Sequence, residues 1–80
     1  MNNMEKYRKI FIDTLSLTEE KLKNDVQYNS IPEWDSIGHM SMVAAVEEVF
    51  GITMETDDII NFGSYQKGFE IISKYGIQFE

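Results

Sequence analysis

The chain has 80 residues, 42% of them hydrophobic and 12% aromatic. That is enough for one small core and leaves no room for a second, so residues 1–80 are read as a single domain. Fourteen Asp and Glu against seven Lys and Arg give a net charge of −7, and there is no cysteine. The charge disfavours nucleic acid and anionic lipid and favours partners with basic patches, while the missing thiols exclude disulfides, thiolate catalysis and Cys-ligated zinc.

The start of the chain carries no apolar signal core, and no apolar run reaches membrane-spanning length, so a cytoplasmic protein that does not insert in membranes is expected. Met4, Tyr7, Phe11 and Leu15 recur at steps of three and four, widened by Ile10, and predict a helix over 4–15. A long connection follows from about Ser16 to Asp35. Ser16 and Glu19 have the spacing of a capping box that would open a helical turn through Leu22. Asn24, Asp25, Asn29, Ser30 and Pro32 then argue against regular structure, with Leu17, Leu22, Val26 and Ile31 as anchors to the core. Connections of this length are uncommon in compact domains and are usually functional.

The clearest helix is predicted over 36–50, capped by Asp35 and stopped by Gly51. Its inward stripe is read as Met42, Ala45, Val46, Val49 and Phe50. A short helix is expected near 57–61, capped by Thr56 or Asp57, and a last one from the Ser64 cap to about Tyr75, with Tyr65, Phe69, Ile72 and Tyr75 facing in and Gly76 ending it. Ile52 and Thr53 could be briefly extended, but nothing nearby offers a pairing strand. The fold class is therefore all-α, a small bundle of three main helices and one short helix with a long loop between the first and second main helices.

Helix 36–50 has a second face that its core stripe does not use. Ser36, Met40, Ala44, Glu47 and Glu48, with Ile37 beside them, point the other way. A hydroxyl at the N-terminal end, apolar residues in the middle and carboxylates at the C-terminal end suit a docking face better than a plain solvent face. Asp35 is already placed to cap, which frees the Ser36 hydroxyl. A phosphate ester there would meet the partial positive charge and unpaired N–H groups of a helix N-terminus.

Trp34-Asp35-Ser36-Ile37 resembles the Asp-Ser-Leu/Ile signature of the acyl carrier protein family, and Val46-Glu47-Glu48-Val49-Phe50-Gly51-Ile52 resembles the acidic end of that family's second helix and the turn after it. The order of elements is also similar, over essentially the whole chain. The resemblance implies 4′-phosphopantetheine attached to Ser36 by a separate phosphopantetheinyl transferase, with Asp35 helping to position that enzyme and its metal. The thiol of the arm would hold an acyl group as a thioester, and an apolar chain would slip between the helices. Ile37, Met40, Ala44, Glu47 and Glu48 would form the surface read by acyl-loading and acyl-transfer enzymes with basic patches. The protein would then be a monomeric carrier and not an enzyme, with no catalytic residue and no metal of its own. Gly38 and Ser41 stand where fatty-acid-synthesis members carry further acids. That leaves a specialised role, in surface-polysaccharide or secondary-metabolite acylation, beside fatty-acid synthesis.

Other readings of the same residues are weaker. Ser36 and His39 are helical neighbours, but no nucleophile elbow or oxyanion loop accompanies them, and His39 is read as a boundary residue. Glu55, Asp57 and Asp58 lack the alternation of a calcium loop and read as helix-start acids. Trp34 is expected to pack under the loop. An aminoacyl carrier of the same fold, for D-alanyl or peptidyl transfer, and a docking module without a prosthetic group remain as alternatives.

Overall fold

The computed structural model describes residues 2–79. It contains α1 (Asn3–Leu15), α2 (Glu19–Leu22), α3 (Ser36–Phe50), α4 (Thr56–Asn61) and α5 (Tyr65–Ser73), with no β-strand among the described residues. The all-α bundle expected from the sequence is what forms. Three longer helices carry it, and two short ones sit in the connections.

The helix ends follow local chemistry. The Asn2 side chain accepts from Glu5 N and opens α1. At its other end Ser16 takes the left-handed conformation (φ 54°) and is the C-cap, so it cannot also cap the next turn as a capping box would require. Thr18 does that, accepting from Lys21 N. Asp35 and Gly51 bound α3 as the sequence implies, with Gly51 at φ 65°. Glu55 stands at the N-cap of α4 without a side-chain bond, in place of the expected Thr56 or Asp57. Ser64 caps α5, accepting from Lys67 N. That helix ends at Ser73, short of Tyr75.

α1 packs against α3, and an aromatic cluster fills the space between α1, α5 and the long loop. Tyr7 lies against Phe11, Tyr65, Phe69 and Phe79 at ring-centroid separations of 4.6–5.5 Å. Phe11 reaches Trp34 at 5.3 Å and Phe62 at 6.2 Å. Trp34 has no exposed surface, in keeping with its expected place under the loop. The Tyr7 hydroxyl donates to the Tyr65 carbonyl at 2.7 Å, and burial pushes its pKa well above the ordinary 10.0.

Several inward residues differ from the periodic reading. Val43 is buried in α3, whereas Val49 is 44% exposed; Met4 is exposed in α1; Ile71 joins Ile72 in the core of α5, leaving Phe69 and Tyr75 half-buried. Leu17, Leu22 and Val26 are buried loop anchors, and Ile31 is half-buried.

The loop is held by specific bonds. Asp25 and Asn29 take positive φ (50° and 65°), conformations that Asp and Asn tolerate better than most residues. Tyr65 N donates to Val26 O at 2.8 Å, Tyr28 N to Gly63 O at 2.9 Å, and Gln66 N to the Asp25 carboxylate at 2.9 Å. The loop is thereby tied to the start of α5.

At the far side of α4, Asp58 is 8% exposed. Its carboxylate accepts from the Lys74 ammonium at 2.6 Å and from the Tyr75 hydroxyl, which joins α4 to the end of α5. These hydrogen bonds, Lys74 first, hold the Asp58 pKa below its ordinary 3.8, while Asp58 raises Lys74 above 10.5 and Tyr75 above 10.0. A lowered carboxyl stabilises the fold above its unfolded value, and that stability is lost as pH falls through the folded pKa. Raised Lys and Tyr groups stabilise below their unfolded values and lose it as pH rises through the folded ones. Wild type is therefore expected to exceed Asp58→Asn in urea midpoint near neutrality. The gap should close as pH falls below 3.8 and as it rises past 10.0–10.5. A gap that stays constant into acid would show that Asp58 acts by packing alone.

Candidate functional site

Ser36 is the first residue of α3 and is exposed. Asp35 just before it is extended, its side chain accepts from Gly38 N at 2.9 Å, and its carbonyl accepts from His39 N at 2.8 Å. With capping done by Asp35, the Ser36 hydroxyl is left to project outward, where among the described residues it meets the exposed Tyr28 hydroxyl at 3.2 Å. Gly38 allows the loop to close on α3. A Cβ built there would lie 2.0 Å from the Glu33 carbonyl oxygen and 3.2 Å from the Leu15 side chain. Its first-turn position thus serves the close approach of the preceding loop.

One turn further on, His39 is half-buried and bonded at both ring nitrogens. Trp34 Nε1–H donates to Nδ1 at 2.9 Å, and Nε2 meets the Ile59 carbonyl at 2.8 Å. An indole N–H can only donate and a carbonyl can only accept, so the ring is the neutral Nε2–H tautomer. Removing either partner would leave a buried polar group unpaired, at about 1–3 kcal/mol. Loop, α3 and α4 are linked through this one imidazole. Both of its nitrogens are engaged away from Ser36, so the Ser–His pair that hydrolysis would need does not form.

Beside Ser36 lies a groove of about 380 Å³ between α3 and α4, walled by Met40, Ile59, Ile60 and Phe62, with Tyr28 and His39 at its edges. Ile37 is 79% exposed, Met40 53% and Ile60 72%; Met40 and Ile60 line the same groove as Ser36, and Ile37 follows it in α3. Ala44 and Glu48 are exposed further along α3. Glu47 is half-buried, and its carboxylate accepts from Met54 N at 2.8 Å, which also fixes the turn after α3.

The structure thus brings Asp35, Ser36, Ile37 and Met40 together at one end of α3 and sets Ala44, Glu47 and Glu48 along its length. Sequence reasoning missed Tyr28 and Ile60 at this site. Ile60 sits in a short apolar pair, Ile59-Ile60, whose inward member depends on the register of a six-residue helix. Tyr28 lies in the irregular loop, and no pattern there signals its contact with Ser36.

The structure places an exposed serine at the start of α3, after a long anchored loop and beside an apolar groove. Comparison with known proteins gives the family. The chain is 34% identical over 76 residues to an acyl carrier protein of Buchnera aphidicola subsp. Baizongia pistaciae, covering 94% of this chain and 97% of the relative. An acyl carrier protein of Buchnera aphidicola subsp. Schizaphis graminum is 30% identical over 74 residues (91% and 94% covered), and one of Petrotoga mobilis 26% over 70 residues (88% and 82%). No protein-family model matches the chain, and no solved structure matches it. The full-length match places it in the acyl carrier protein family, and it belongs there as a carrier protein.

Proposed function

We propose that the protein carries acyl intermediates as thioesters on a 4′-phosphopantetheine arm attached to Ser36, and that it hands them to partner enzymes without catalysing a reaction itself. The observation that carries this reading is the Ser36 hydroxyl, exposed at the first turn of α3 and released from capping duty by Asp35. The residues present fit the group. A phosphodiester on Ser36 would lie at the positive end of a 15-residue helix, and no residue has to leave to expose the oxygen. The arm supplies a thiol at the end of a flexible tether, which is where the acyl group is held.

The chain's own residues do three things in this scheme. Asp35 fixes the first turn and presents a carboxylate next to the acceptor hydroxyl, where the metal-dependent transferase must dock. Ile37, Met40, Ala44 and Ile60 offer an apolar contact surface, and Glu47 and Glu48 add charge at its far end. With the net charge of −7, that surface steers partners with basic patches toward α3. The apolar groove beside Ser36 receives the near part of an apolar cargo. A cytoplasmic location and a monomeric state complete the reading; no helix among the described residues is long and apolar enough to cross a membrane. The pathway is either fatty-acid synthesis or a specialised acylation.

Intact-mass spectrometry after incubation with coenzyme A, Mg²⁺ and a broad-specificity phosphopantetheinyl transferase tests the reading. A single phosphopantetheine added to the folded protein is the expected result. A folded sample that stays unmodified with two unrelated transferases would overturn it.

A further inference from the structure

Tyr28 stands in the irregular loop, yet its backbone is fixed from both sides. Its N–H donates to the Gly63 carbonyl at 2.9 Å, and the next N–H, of Asn29, donates to the Trp34 carbonyl at 2.9 Å. Ser30 closes the turn around it, donating its hydroxyl to the Gln27 carbonyl at 2.6 Å and accepting from Gln27 N at 3.1 Å. The ring is seated as well. It meets His39 at 5.4 Å and Trp34 at 6.4 Å, edge-to-face in both cases, and those two side chains are bonded to each other. Such packing calls for an aromatic ring, and phenylalanine would serve it equally. The hydroxyl is what packing leaves unexplained. It lies 3.2 Å from Ser36 Oγ, with either atom able to donate, on a residue that is 38% exposed.

In the unmodified protein this contact contributes little, because water competes for both hydroxyls. A phosphodiester on Ser36 changes its chemistry. Oγ becomes a bridging ester oxygen with no proton to give, and the negative charge resides on the non-bridging oxygens of the same phosphorus. The phenol is then left as the donor, and a bond from a hydroxyl to an anionic oxygen is roughly twice as strong as one between neutral groups. No other side chain lining the groove beside Ser36 has a free proton to offer. The ring N–H of His39 is engaged with Ile59, and the remaining lining residues are apolar or glycine.

We propose that Tyr28 holds the root of the arm: its hydroxyl donates to a non-bridging oxygen of the phosphodiester on Ser36 and keeps the start of the tether against the long loop. This rests on the reading of Ser36 as the attachment point and goes beyond it in naming a residue that contacts the attached group. The long loop then has two tasks, bringing the chain to Ser36 and supplying the donor that orients what is attached there.

Wild type and Tyr28→Phe would each be loaded with phosphopantetheine and checked by intact mass. The substitution keeps the ring and removes one oxygen. Absence of a mass increase on the wild type would overturn the Ser36 reading, and it is seen before any comparison of the two proteins begins. Urea unfolding of the apo and holo forms of both then closes a thermodynamic cycle. The apo forms should have nearly equal midpoints. In the holo forms the folded-to-unfolded ratio of wild type should exceed that of Tyr28→Phe by roughly two- to tenfold, as expected of one solvent-accessible hydrogen bond. The phosphorus NMR resonance of folded holo wild type should stand apart from its position in urea, and Tyr28→Phe should move it back toward that position. A cycle without coupling, or a phosphorus resonance that the substitution leaves unmoved, would overturn the proposal. Should the variant not fold or not load, the wild type decides alone through isotope-labelled tyrosine. Loading should then shift the ring Cζ resonance of Tyr28 and leave those of Tyr7 and Tyr75, whose hydroxyls are bonded to the Tyr65 carbonyl and to Asp58, where they were. An unmoved Tyr28 signal would equally remove Tyr28 from the contact.

Discussion

Ser36→Ala is expected to abolish phosphopantetheine attachment completely while leaving the fold intact. The chemical half of this expectation is simple, because the substitution deletes the one oxygen that could form the phosphodiester. The structural half is what makes the experiment informative. Ser36 is exposed, and the hydrogen bond of its hydroxyl is a 3.2 Å contact with an equally exposed tyrosine, the kind of bond that water replaces at little cost. It is not the N-cap of α3, since Asp35 holds that role through Gly38 N. Alanine in the first turn has a helix propensity at least as good as serine. The urea midpoint should therefore change by no more than about 0.5 kcal/mol of stability, as for surface substitutions away from special features. Mass spectrometry would show the wild-type shift and none in the variant. Attachment to the folded variant would mean that a different residue accepts the group. Asp35→Ala is the contrasting case: it removes the cap bond and is expected to destabilise by about 0.5–2 kcal/mol, so any effect on attachment must there be separated from an effect on α3 itself.

What was legible in the sequence follows the range over which each feature is determined. The start and stop of α3 rest on capping chemistry within three residues of Asp35 and on the left-handed tolerance of Gly51, and both are readable from single residues. The cap of α2 shows how local reading fails. Ser16 and Thr18 are both hydroxyl residues ahead of the same short helix, and the choice between them depends on how α1 ends. Once Ser16 adopts φ 54° to close α1, only Thr18 is extended and free to cap. The exchange of Val49 for Val43 has another origin. α3 is apolar on more than one side, with Met40, Met42, Val43, Val46 and Val49 spread around it, so periodicity alone does not choose its inward stripe. Packing against α1 and the aromatic cluster chooses it. The imidazole link is further out of reach, because it joins His39 to a tryptophan 5 residues back and a carbonyl 20 residues on. Only the folded chain puts those three in line. For Gly38 the sequence shows a helix-weakening residue two positions after Ser36, the proposed attachment point, and an approach by the proposed arm or a partner is a natural reading. The Glu33 carbonyl 2.0 Å from the missing Cβ gives the residue a reason inside the fold.

Gly68→Ala is expected to be strongly destabilising, although alanine is the better helix former by about 1 kcal/mol. The added Cβ would stand 1.9 Å from the Tyr7 hydroxyl oxygen and 2.4 and 2.7 Å from two atoms of the Phe62 ring. Neither ring has free space to retreat. Tyr7 is fully buried, stacked on Tyr65 at 4.9 Å and enclosed by Phe11, Phe69 and Phe79. Phe62 is pressed against Phe11 and His39. Overpacking of this kind costs about 1–3 kcal/mol. Displacing Tyr7 would also break its 2.7 Å bond to the Tyr65 carbonyl, leaving buried groups unpaired at about 1–3 kcal/mol more. Set against the propensity gain, the net loss is roughly 1–5 kcal/mol. A chain of this length has only about 4–12 kcal/mol of stability in all. The urea midpoint should fall by a large fraction with an unchanged slope, and a loss below about 0.5 kcal/mol would show that the cluster can yield. A double-mutant cycle locates the strain. Tyr7→Phe removes the nearest clashing atom, so the pair should be less destabilised than the two single changes summed, with a coupling of about 0.5–3 kcal/mol. Rescue should stop short of the parent, because the Phe62 ring still opposes the new methyl group. Strict additivity would instead assign the whole loss to Phe62, which lines the groove beside Ser36.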